Sequence, residues 1–132
     1  MSTNETVRAR YRGPSRESRR TVDGYPTTQW VYEGAAAPVG MKRMVVDFGL
    51  LTSQGYRPAV VRSMVLEPKP GVFPRRVVLE GWGSPDRVGV DEGQDVFYYA
   101  SGLVVYFVKG GADAASMLFT VVQAEPPKPA GR

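Results

Sequence analysis

Asp91, Glu92 and Asp95 form an acidic loop around Gly93, the natural place in this chain to look for metal or proton chemistry. A calcium loop sets its oxygen ligands at alternating positions, and this cluster does not follow that spacing. It reads instead as a solvated hairpin turn, with no metal implied. Paired-carboxylate catalysis needs two acids held a few ångströms apart in a cleft, and no pattern here argues for that. Ser63 and Ser116 recur in similar company, Ser-Met-Val-Leu and Ser-Met-Leu-Phe. A serine nucleophile needs a base, and the chain contains no histidine. It contains no cysteine either, which excludes disulfides, thiol chemistry and thiolate-bound metals. Gly13-Pro14 and Ser84-Pro85 are turns, since no glycine-rich signature with a lysine follows a strand. The expected protein is therefore non-enzymatic, with no cofactor and no metal.

Charge and exposed apolar surface are what remain. The net charge is +4 in 132 residues, and the excess lies in the first twenty. There Arg8, Arg10, Arg12, Arg16, Arg19 and Arg20 face only Glu5 and Glu17. Such a cluster could grip phosphates of nucleic acid or an anionic membrane. It lacks the interleaved aromatics of single-strand binders, so an acidic partner protein is the favoured reading for Arg8, Arg12, Arg16, Arg19 and Arg20. The second half of the chain carries a strand-like run that is apolar on both sides: Leu103, Val105 and Phe107 on one, Val104, Tyr106 and Val108 on the other. Tyr98, Leu118 and Val122 lie on neighbouring segments. A strand apolar on both faces is either covered within its own protein or offers one face to a partner. On the second reading Tyr98, Val104, Tyr106 and Leu118 form the binding surface, with Trp30 and Tyr32 a secondary pair better suited to the core. A pocket for a small molecule between the halves of the chain is a third possibility.

Positioning those residues requires elements that the chain announces unevenly. Ser2 and Glu5 have capping-box spacing, Val7 and Tyr11 share one helical face, and Arg8 and Arg12 share another. Gly13-Pro14 ends this first helix, and Pro74 can open a second, in which Val78 and Trp82 repeat the apolar pair. Alternating or apolar runs predict strands over 28–33, 44–50 and 60–67, then 95–100, 102–108 and 115–122. The order and kind of these segments match between the two halves. This predicts an α+β fold: a tandem of two helix-strand-strand-strand units, 1–67 and 72–123, joined by a linker at 68–71. About six antiparallel strands would carry helices on one face, and a proline-rich tail follows at 124–132.

This pattern resembles the SmpA/OmlA outer-membrane-assembly lipoprotein family and its tandem relative, the β-lactamase inhibitor protein. The residues that carry it are Tyr11-Arg12-Gly13-Pro14-Ser15 with Trp30-Val31-Tyr32, and Trp82-Gly83-Ser84-Pro85-Asp86 with Phe97-Tyr98-Tyr99. The resemblance implies non-catalytic domains that bind other proteins, in the tandem form through aromatic residues on a concave sheet. The chain departs from it in lacking a lipidation cysteine, a signal segment and paired cysteines. No apolar run approaches the ~20 residues of a membrane-spanning helix. The expected location is thus the cytoplasm, or the periplasm or a membrane periphery for a processed or complex-bound form. The expected role is an accessory or assembly subunit, or an inhibitor-like binder. Its partner would be a protein with an acidic or apolar surface, and nucleic acid is disfavoured.

Overall fold

Asp23-Gly24 and Glu92-Gly93 each fold the chain back through a two-residue turn. Asp23 and Glu92 adopt φ of 52° and 49°, and each following glycine 82°. Positive φ at both central residues is the turn that matches the twist of a β-hairpin. Each turn closes a pair of strands, and the rest of the fold extends inward from those two pairs. The computed structural model describes residues 2–121. The proposed tail at 124–132 and Val122 lie outside the described residues.

The elements run α1 (Asn4–Tyr11), β1 (Arg16–Val22), β2 (Tyr25–Glu33), a 3-10 turn (Gly34–Ala36), β3 (Met41–Thr52) and β4 (Gly55–Pro68). They continue with α2 (Arg75–Trp82), β5 (Arg87–Asp91), β6 (Gln94–Tyr99), β7 (Leu103–Phe107) and β8 (Ala114–Thr120). All eight strands form one antiparallel sheet in the order β1-β2-β3-β4-β8-β7-β6-β5. The expected α+β arrangement of two helix-strand-strand-strand units is overturned. The described residues form one eight-stranded sheet with two helices, each of only eight residues. The difference lies at the edges. β1 and β5 bury no side chain, so neither shows the apolar alternation that marks a half-buried strand.

Register explains which residues enter the core. Trp30, Val46, Met64, Phe119, Leu103 and Tyr99 succeed one another across the sheet, as do Tyr32, Met44, Leu66, Met117, Val105 and Phe97. Paired residues of an antiparallel sheet share a face, so these two rows define one side. Both helices pack on it. Val7 of α1 enters a cluster with Trp30, Tyr32, Met44, Val46 and Phe48, and Val78 of α2 enters one with Phe97, Tyr99, Val105, Phe107 and Met117. Leu66 on β4 touches both clusters. Short helices have little stability of their own, so these valines and the sheet beneath hold them in place.

The helix ends correct two sequence readings. α1 starts from Thr3, whose N–H donates to the Thr6 hydroxyl at 2.8 Å, one residue beyond the expected Ser2/Glu5 pair. Arg12 falls outside the helix with φ of 65° and does not share a helical face with Arg8. β4 continues through Pro68, which lies opposite Met41, so the connection to α2 begins at Lys69. Pro58 is tolerated within this strand because β8 covers β4 only from Ser63 to Leu66 and the N-terminal segment bridges it only at Val60 and Val61, leaving Pro58 at an edge.

Candidate docking surface

The side of the sheet opposite the helices carries a row that crosses every strand. It runs Arg16, Val31, Val45, Val65, Leu118, Val104, Tyr98 and Arg87. Six of the eight are apolar, and each lies directly opposite its neighbours on the adjoining strands. The row has two different ends. Val31 and Val45 are buried, whereas Val65, Leu118, Val104 and Tyr98 are half-buried. Tyr106, opposite Ser116, lies beside the half-buried end on the same face.

Polar residues flank the buried end. Asp47 accepts from Gln29 Nε2 at 3.0 Å and from the Ser63 hydroxyl at 3.4 Å, and Arg62 approaches it at 3.8 Å. Arg16 pairs with Glu33 at 2.9 Å and Arg43 with Glu67 at 3.5 Å. These pairs are at least partly exposed, so each contributes little to stability and acts mainly to set the polarity of its border. The Tyr98 end differs. The Tyr98 ring lies over Gly89 on β5, where a Cβ would come within 3.2 Å of its edge. The Arg87 guanidinium covers the same ring at 4.2 Å from its centroid. A cation over a tyrosine face is attracted by the ring's negative π-surface, which holds Tyr98 flat against the sheet.

Register thus brings Tyr98, Val104, Leu118 and Tyr106 onto one contiguous surface. It puts Trp30 and Tyr32 on the opposite side, within the core, at 2% and 0% exposure. Trp30 meets Phe48 edge-to-face at 4.7 Å, and its indole N–H donates to Glu17 at 2.8 Å. The pair therefore supports the sheet and presents no surface to a partner. Val31, Val45 and Val65 complete the row and were not singled out from the sequence. Their signal was present as the second parity of their strands, but only pairing shows that these valines align with Leu118 and Val104.

The N-terminal arginines do not make a single patch. Arg8 stacks over Trp30 on the helix side, at 4.9 Å from the ring centroid. Arg19 contacts Glu17 at 2.9 Å, on the same side. Arg16 and Arg20 alternate with it and belong to the helix-free side. The acidic loop is split likewise. Asp95 forms an ion pair with Arg75 of α2 at 2.7 Å, while Asp91 sits opposite Gln94 on the other parity of the hairpin. Among the described residues no helix is long and apolar enough to cross a membrane.

Compared with protein-family models, with curated proteins and with solved structures, the chain matches none. The geometry of the sheet therefore carries the functional argument.

Proposed function

We propose that this protein acts by binding another protein on the helix-free face of its sheet, centred on Val65, Leu118, Val104, Tyr98 and Tyr106. The observation that carries this reading is the apolar row itself. Four adjacent strands present half-buried apolar side chains on a side where neither helix packs. Helices cover the other side, so the asymmetry belongs to this surface and not to the sheet as a whole. Tyrosines suit such a role, because each offers a large rigid contact area with a polar tip.

The partner is a protein with an apolar patch bordered by acidic groups, which Arg20 on the same side would steer into place. An accessory or assembly subunit, or an inhibitor-like binder, fits this chemistry, and no catalytic group is part of the proposal. The resemblance to SmpA/OmlA-like domains supports the same class of role. The rival reading, nucleic acid or anionic membrane held by the arginines, is weakened by their division between two sides of the sheet. It is also weakened by the carboxylate partners of Arg16 and Arg19.

Quantitative capture from native lysate tests the proposal with four baits: wild type, Tyr106→Asp, Val104→Lys and Arg8→Ala. The expected result is a set of proteins retained by wild type and Arg8→Ala but lost by both sheet variants. Identical retention by all four folded baits overturns it. Salt-sensitive binding to an oligonucleotide or to anionic vesicles, unaffected by Tyr106→Asp, would favour the rival.

A further inference from the structure

We infer that β5 is a self-complementary edge through which two copies of this chain pair, extending the sheet across a two-fold axis at Gly89. β5 is the last strand of the sheet, and its outer side has no neighbouring strand among the described residues. Its sequence is Arg87-Val88-Gly89-Val90-Asp91. In the hairpin closed by Glu92-Gly93, Asp91 lies opposite Gln94. The closing pair of a two-residue hairpin is hydrogen-bonded, so alternation turns the backbone N–H and C=O of Val88 and Val90 outward. Those four groups stand at the free edge.

Antiparallel pairing of this strand with a second copy satisfies all of them in one register. With Gly89 opposite Gly89, Val88 of each copy meets Val90 of the other as a hydrogen-bonded pair. The same register sets Arg87 of each copy opposite Asp91 of the other, twice across the axis. Opposite charges directly across an antiparallel pair are favourable, and like charges there are not. Val88 and Val90 are 60% and 72% exposed, high for apolar strand residues. By parity they lie on the side away from Arg87 and Asp91, so four valines would cluster across the axis there.

The opposite edge shows what protection looks like. β1 carries Arg16, Glu17, Arg19 and Arg20, and a register centred on that strand sets Arg19 against its own copy. Charged edges of this kind resist pairing. β5 carries neither lysine nor proline, and its two charges are placed to attract a copy. A five-residue edge makes a small interface, so the dimer is reversible and weak.

Sedimentation velocity of the full chain from about 10 µM to 1 mM tests this, a range suited to small interfaces. Wild type is expected to shift from monomer to dimer across it. Arg87→Asp and Asp91→Arg should each weaken dimerisation about tenfold, since each disturbs both symmetric pairs. The double variant, Arg87→Asp with Asp91→Arg, should regain most of that loss. Val90→Pro removes only an outward N–H and should leave a folded monomer by circular dichroism. A wild type that stays monomeric at the highest concentration overturns the inference. So does a dimer unmoved by Val90→Pro, or a double variant that recovers nothing. Growth into open-ended oligomers would contradict the closed two-fold contact as well.

Discussion

The hydroxyl of Tyr32 on β2 donates to the backbone carbonyl of Arg12, the residue that ends α1, at 3.0 Å. Arg12 adopts φ of 65°, a left-handed conformation that costs a non-glycine residue. The buried tyrosine fixes the chain where the helix stops and turns toward β1. The second half of the molecule holds the same contact: Tyr99 on β6 donates to the carbonyl of Gly83 at 2.9 Å, where α2 ends with φ of 78°. In each half a core aromatic thereby ties a marginal helix to the sheet.

Tyr32→Phe and Tyr99→Phe should each lower stability by about 0.5–1.5 kcal/mol, the usual net worth of such a bond. Burial raises the pKa of both phenols above the ordinary tyrosine value. The neutral form is therefore favoured in the folded state. Its contribution is complete below the unfolded pKa of about 10 and is lost as pH rises through the folded value. Thermal melts above that pH should show falling stability, with a shallower fall in the double Phe variant. An unchanged alkaline slope would remove these phenols from the account.

Glu17 gives the opposite pH dependence. Its carboxylate accepts from the Trp30 indole N–H and from Arg19, and these bonds lower its pKa. The resulting stability is present above the unfolded carboxylate value and is lost as pH falls through the folded one. Glu17→Gln should flatten the acid limb of the stability profile measured by urea titration between pH 3 and about 6. An acid limb identical to wild type would show that this contact does not couple to folding.

Gly49 on β3 has φ of 118°, and a Cβ there would collide with the ring and hydroxyl of Tyr56. Tyr56 donates to the Pro26 carbonyl and packs on Tyr25 at 4.7 Å, which joins the far end of the β3–β4 hairpin to β2. Gly49→Ala should cost more than the about 1–3 kcal/mol of backbone strain alone, because the tyrosine must also move. In a Tyr56→Ala background the same substitution should cost only the backbone part. Equal penalties in the two backgrounds would refute the steric coupling.

Val78 is fully buried beneath α2. Val78→Ala should destabilise the protein by about 2 kcal/mol, from lost burial and the cavity left behind. Hydrogen exchange should show α2 opening before the sheet. Loss of protection spread evenly over β6–β8 would mean that the helix and sheet open as one unit.

The inner strands were legible in the sequence because burial writes a period of two. Met44, Val46, Phe48 and Leu50 share one parity and all four are buried, although Val45 and Gly49 on the other parity are buried as well. The edge strands were not. β1 reads as a run of charges and β5 buries no side chain, so neither carries the apolar alternation by which a strand is recognised. Of the candidate site, Val104 and Tyr106 could be assigned to one side from alternation alone. Tyr98 and Leu118 joined them only through the register, which a single sequence does not encode. Trp30 and Tyr32, a secondary pair that the sequence places better in the core, are turned inward by parity on β2.

Photo-crosslinking with a benzophenone amino acid at single positions, in native lysate, asks most directly which side of the sheet meets a partner. Probes at Tyr98, Val104, Tyr106 and Leu118 should give a common adduct, and probes at Leu79 and Trp82 on the exposed flank of α2 should not. Adducts confined to the helix side, or equally strong on both sides, would contradict a docking surface on the helix-free face.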